Sequence, residues 1–148
     1  FDSELVDGEW VLILQQQGSK SPKSQKLVGK SEKPGKSYST FHVREGTFSG
    51  DISFWKGVAK VTSKVAYRPM RENYDVINKT IVLRRIACDI VQAGFKVWKL
   101  PRLPLSFLKR KGGYLDFAYL DRDIRVTTGN RGGIFVHARP DFAKKELL

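Results

Sequence analysis

The sequence predicts an all-β, antiparallel fold of about eight strands with a long basic loop and little helix. Between 112 and 139, apolar and aromatic residues recur at every second position: Leu115, Phe117 and Tyr119, then Ile124 and Val126, then Ile134, Val136 and Ala138. That period belongs to half-buried strands. Turn chemistry separates the runs, since Asp121-Arg122-Asp123 fits a tight connection and Gly129-Asn130-Arg131-Gly132-Gly133 tolerates positive φ. A three-stranded meander follows. Upstream, short runs rich in β-branched and aromatic residues repeat the same theme.

The first run is Val6–Gln16, with Trp10, Leu12 and Leu14 on one face and Val11 and Ile13 on the other. Bulk on both sides fits a strand buried on both faces, or one entering a barrel. Residues 15–37 are dominated by Gln, Ser, Lys, Gly and Pro and cannot supply a packing face, so a flexible Lys-rich loop is expected. Strand character resumes at Tyr38. Phe41 and Val43 alternate, Phe48 follows a turn at Glu45-Gly46, Ile52 to Trp55 forms a further strand, and Val61, Val65 and Tyr67 another. Arg68-Pro69 should stop that strand, because proline cannot donate to a ladder. Tyr74 to Ile90 reads as two strands with a hairpin at Asn78-Lys79. Helical spacing of Ile81, Arg85, Cys88 and Gln92 leaves a helix over 81–92 open, and β-branched density favours strand. Phe95 to Leu100 alternates again, and Pro101 and Pro104 exclude a central strand from the loop 100–111. Pro140-Asp141 ends the last strand and leaves 140–148 as a tail that docks or frays.

A chain of 148 residues fits one domain, 1–148, and 41% hydrophobic content suits a folded core rather than disorder. Cys88 is the single cysteine, which excludes an intramolecular disulfide and argues against Cys-based zinc; it reads as a small apolar strand residue. No apolar run approaches the roughly 18 residues of a spanning helix. The chain opens at Phe1 without an initiator Met or a signal-peptide pattern, so a processed form or a fragment is expected.

The net charge of +12 is concentrated in two places. From Lys20 to Lys36, six lysines, Lys20, Lys23, Lys26 and Lys30 among them, face one acid, Glu32. From Lys96 to Lys111, six cations face none. Such density favours a polyanionic partner: anionic headgroups, nucleic acid or an acidic protein. A solvated surface is the simpler alternative. In the second segment Leu103, Leu105, Phe107 and Leu108 are bracketed by Arg102, Lys109, Arg110 and Lys111. Apolar side chains within a basic collar suit a membrane interface, or a loop folded over its own barrel.

Gly113, Leu115, Asp116, Tyr119, Leu120, Asp121, Asp123, Arg125, Gly129, Gly132, Phe135 and Val136 together resemble the C-terminal signature of the plastid lipid-associated protein (fibrillin) family. Asp7-Gly8-Glu9-Trp10-Val11-Leu12 resembles that family's first strand. The resemblance implies a lipocalin-like β-barrel in plastids, made with a transit peptide and peripheral on the thylakoid membrane or plastoglobule. It implies carotenoid, quinone, fatty acid or plastoglobule lipid as ligand, and no required cofactor. Gly8-Glu9-Trp10 also has the Gly-x-Trp form of a lipocalin first strand, whose Trp closes the barrel floor against an arginine from a late strand. Arg125 and Arg139 are the candidates here, with Arg125 favoured. The expected interior lining is Trp10, Leu12, Phe41, Val43, Phe54, Val61, Tyr67, Leu83, Phe117 and Val126.

No catalytic constellation is present. His42 and His137 alternate opposite to apolar neighbours and are expected on strand surfaces. The sequence has no His-x-His, Gly-x-Ser-x-Gly or Walker loop, and Gly129–Gly133 lacks the helix N-terminus that would cradle phosphate. Asp121 and Asp123 lie beside Arg122 and Arg125, so an Asp123–Arg125 ion pair is expected in place of a cation site. The expected function is non-enzymatic binding of an apolar ligand or lipid surface. Its rival is a structural subunit of a photosynthetic membrane complex, with a self-filled barrel docking through the Lys-rich and 100–111 loops. Nucleic-acid binding ranks last, because the cations do not interleave with aromatics along strands.

Overall fold

A computed structural model of the chain describes residues 3–16, 37–54, 58–70, 74–75, 80–81, 85–106 and 109–147. Its strands are β1 (Gly8–Gln16), β2 (Ser37–His42), β3 (Thr47–Phe54), β4 (Ala59–Met70), β5 (Tyr74–Asp75), β6 (Thr80–Ile81), β7 (Arg85–Val97), β8 (Leu103–Pro104), β9 (Arg110–Leu120), β10 (Ile124–Gly129) and β11 (Ile134–Ala138). Eight of them, β1-β2-β3-β4-β7-β9-β10-β11, pair antiparallel in that order, and β11 pairs back onto β1. The sheet therefore closes into a barrel, which removes its open edges. β5 and β6 form a separate two-stranded ribbon, and β8 lies along β7 at Gly94 and Phe95, beyond the reach of β9.

The C-terminal meander forms as the alternation dictates. Arg85–Val97 is strand, which excludes the helical alternative over that span, and the expected hairpin at Asn78-Lys79 lies outside the described residues. β4 runs through Pro69 to Met70, past the expected stop, with Pro69 paired to Ile86. A missing donor at the penultimate position costs the ladder little.

Interior packing concentrates at one end. Val6, Trp10, Phe41, Ile86 and Phe117 are buried together, with Val43, Phe48, Tyr67, Cys88, Leu115 and Leu120 packed against them. Phe41 stacks on Phe48 at 4.6 Å between centroids and lies 5.5 Å from Tyr67 and 6.5 Å from Phe117. Such aromatic contacts add to the burial term. A second cluster covers the outer side of β1 and β11. There the C-terminal segment (Pro140–Phe142, then Ala143–Leu147) sets Phe142 and Ala143 against Val11, Ile13, Tyr38 and Ala138. At Trp10–Leu12, β1 is thus buried on both faces because the tail docks.

Bulges break the simple alternation. The register between β1 and β11 shifts between Leu12 and Leu14, and that between β9 and β10 shifts at Ala118. An extra residue turns everything beyond it to the other face. Leu120 therefore packs into the core, and Leu14 and Tyr119, which share an alternation with Leu12 and Phe117, are 61% and 52% exposed.

Candidate functional site

The two ends of the barrel differ. At the floor, the Trp10 Nε1–H donates to the Val6 carbonyl at 2.8 Å, which ties the ring to the short helix α1 (Ser3–Val6) that closes this end. Asp7 Oδ1 accepts from the Val43 N–H at 3.1 Å and joins that entry to the turn after β2. Asp121 shapes the β9–β10 turn, its Oδ1 accepting from the N–H groups of Asp123 (2.8 Å) and Ile124 (2.7 Å).

Both candidate arginines lie over the Trp10 ring. Arg139 is the nearer, 3.9 Å from the centroid against 5.1 Å for Arg125. Arg139 also donates to the carbonyls of Leu5 (2.7 Å) and Glu9 (3.2 Å), so it is the residue that fastens the floor. Gly8 is part of the same fit. Its φ of +95° is a left-handed value, and a Cβ there would meet Arg139 Nη1 at 3.2 Å.

Arg125 does something different. It is 3% exposed, sits 4.9 Å from the Phe41 ring as well as over Trp10, and has no carboxylate within ion-pair distance among the described residues. The expected pair with Asp123 does not form. Asp123 acts on Arg139 instead, because alternation turns position 125 into the barrel. Burial pulls the Arg125 guanidinium down to about 9, and the charge of Arg139 adds to the effect.

His137 is the cross-strand neighbour of both Arg125 and Leu12, and it too is buried, contrary to the surface position expected for it. Desolvation, with Arg125 beside it, holds its pKa well below the usual imidazole value, so it is neutral. Its apolar neighbours Val136 and Ala138 face outward, where Leu14, Val11 and the docked tail meet them. His42 is exposed, as expected.

Beyond Arg125 and His137, the inward positions are small or polar: Ser37 and Ser39 on β2, Thr127 on β10, all buried, with Gln15 on β1. Arg125 Nε and Nη1, His137 Nδ1 and Gln15 Oε1 are buried with no hydrogen-bond partner among the described residues. The chain thus places a polar belt directly above an aromatic floor. Farther along, Ile52, Val61, Ile90, Phe95 and Phe135 share the inward face by register, and each is partly exposed.

Of the expected lining, Trp10, Leu12, Phe41 and Phe117 are buried, Val43 and Tyr67 border the core, and Val61 pairs with Phe95 and Ile52 nearer the far end. Val43 reaches the core from a 3-10 turn, Val43–Glu45, rather than a strand. Phe54 ends β3 opposite Ala59. Val126 is a correction: it pairs with Tyr119 and Val136 on the outer face, because Arg125 and Thr127 take the inward positions. Leu83, Lys20, Lys23, Lys26, Lys30, Phe107 and Leu108 lie outside the described residues.

Of the expected contact residues, the described ones, Leu103, Leu105, Lys109 and Lys111, lie toward the end remote from Trp10. The strand ends that bound the Lys-rich segment, Gln16 and Ser37, lie at the same end of the barrel as Val97, Ala59 and the start of β9 at Arg110. Trp98, Leu100 and Leu103 are 71%, 62% and 60% exposed there, and the Trp98 N–H bonds the carbonyl of Val58, itself 47% exposed. Lys96, Lys99, Arg102, Lys109 and Lys111 are exposed around them, and Leu105 is partly covered. The Arg102 guanidinium lies across Gly94, so a side chain there would displace it, and it donates to Thr62 Oγ1 at 2.8 Å.

Cys88 is half-buried in β7. Desolvation pushes its thiol up to about 12, partly offset by a bond from the Leu115 backbone. A thiol so raised is a poor nucleophile. Among the described residues, no group of three His, Cys, Asp or Glu could hold a metal ion, and no helix is long and apolar enough to cross a membrane.

No curated protein and no solved structure matches the chain. The PAP_fibrillin family model matches residues 1–138, which takes in every strand of the barrel. A closed eight-stranded barrel, a Gly-x-Trp floor and a match over nearly the whole chain agree, and the chain belongs to the PAP_fibrillin family.

Proposed function

We propose that this protein is a non-enzymatic, plastid lipid-associated barrel that rests on an anionic membrane or plastoglobule surface by one end and takes an apolar ligand of that surface into its interior. Carotenoids, quinones, fatty acids and thylakoid or plastoglobule lipids are the ligand classes. The family supports the lipid association. The observation that carries the reading is the rim remote from Trp10, where Val58, Trp98, Leu100 and Leu103 are exposed among Lys96, Lys99, Arg102, Lys109 and Lys111. Apolar side chains can sink below lipid headgroups while cations stay among the phosphates, each worth about 1 kcal/mol near an anionic leaflet. Gln16 and Ser37, which bound the Lys-rich segment with Lys20, Lys23, Lys26 and Lys30 in the sequence, both lie at that end. Ligand burial along Ile52, Val61 and Phe95 would contribute about 25 cal/mol per Å² before ordering costs.

The test is mass spectrometry of lipid extracted from the protein purified out of plastid membranes. Stoichiometric pigment, quinone or acyl lipid is expected. A protein free of lipid that co-purifies with a photosynthetic complex would instead support the docking-subunit reading.

A further inference from the structure

We propose that the polar belt above the floor is a carboxylate site, so that the barrel takes a single-chain, long-chain carboxylate head-first, with its anionic end against Arg125 and its tail toward the Trp98 rim. The inference rests on the ligand-binding reading above and adds the ligand's polarity and direction.

Arg125 is a cation almost wholly removed from water, and the described residues offer it aromatic faces and no anion. A buried guanidinium with unpaired N–H groups is costly. Arg125 has two such donors, Nε and Nη1. Its fork matches a carboxylate's two oxygens. His137, its direct cross-strand neighbour, adds the unpartnered Nδ1, and a neutral imidazole can carry its proton there. The position also fixes orientation. Below Arg125 lie the packed rings of Trp10, Phe41 and Phe117, with no place for a tail. Above it the inward residues become apolar and partly exposed at Ile52, Phe95 and Phe135. An amphiphile with its head at the rim would leave the belt unpaired and bury no charge partner for Arg125.

The test compares oleate with oleyl alcohol, which share a tail and differ in the head, by titration into wild-type protein and Arg125→Met. Arg125→Met keeps an unbranched apolar side chain in place of the buried charge, an exchange cores often accept. The expected result is one oleate per barrel, bound about tenfold or more tighter than the alcohol. That preference should vanish in Arg125→Met while alcohol affinity is retained. Equal affinities in the wild type, or a preference that survives the substitution, would overturn the carboxylate site and leave the apolar-ligand reading standing. Failure of both ligands to bind would overturn both.

A measurement on wild-type protein keeps the proposal open to refutation if the variant misfolds. Oleate carrying carbon-13 at its carboxyl carbon should, when bound, stay ionised to lower pH than the free acid. A bound carboxyl that titrates at or above the free value would overturn the site.

Discussion

The floor and the rim of this barrel are built from the same strands by the same alternation, yet they answer to different constraints. At the floor, Trp10 is held by a hydrogen bond to Val6, flanked by two arginines and packed by Phe41, Phe117 and Ile86. At the rim, Trp98 is equally large, adopts a positive φ of 41°, and is 71% exposed. A tryptophan that many contacts hold in place serves stability. One kept in water at a strained backbone position is where the proposed membrane contact would act.

Substitutions should separate the two ends by size of effect. Trp10→Ala should be the most damaging, by about 3–5 kcal/mol in urea unfolding, because it removes the centre of the core. Gly8→Ala should cost about 1–2 kcal/mol, since it forces a left-handed φ on a residue with a Cβ and presses on Arg139. A loss for Gly8→Ala as small as that of a surface change would remove Arg139 from the floor. His137 gives a pH signature between the two ends. Its folded pKa lies below 6.5, so its contribution is present above pH 6.5 and is lost as pH falls through the window below that value. The slope attributable to it should reach about 1.4 kcal/mol per pH unit and disappear in His137→Gln. At the rim, Leu100→Glu should alter stability by no more than about 0.5 kcal/mol while weakening binding to anionic vesicles. Cys88 should react with iodoacetamide at pH 8 far more slowly than a free thiol in the native state, and at the ordinary rate in urea.

Much of the floor was legible in the sequence. The Gly-x-Trp pair, the meander and the three aromatic residues Phe41, Tyr67 and Phe117 follow from period and turn chemistry, and the structure places them around Trp10. The polar belt was not legible, for two physical reasons. First, a bulge at Ala118 and another near Ile13 reverse the faces of Tyr119 and Leu14, and no composition signal marks one extra residue in a strand. Second, the apolar residues of β10 and β11 do not all point inward. On β10 and β11 the register puts Val126, Val136 and Ala138 outside, with Ala138 under the docked tail, and Arg125, Thr127 and His137 inside. The clue lay in the tail: Pro140 followed by Phe142 and Ala143 supplies an apolar cover for the outer face of β11. Arg139 and Arg125 are alike in sequence as candidates for the floor, and the structure gives the two arginines separate roles.

An environment-sensitive NBD label on a single introduced cysteine, in a Cys88→Ala background, reports which end meets lipid. With Leu100→Cys at the rim and Arg122→Cys at the floor turn, vesicles containing anionic lipid should blue-shift and brighten the label at 100 and leave that at 122 unchanged. Brightening at 122, or at neither position, would contradict the proposed contact of the basic rim with the membrane.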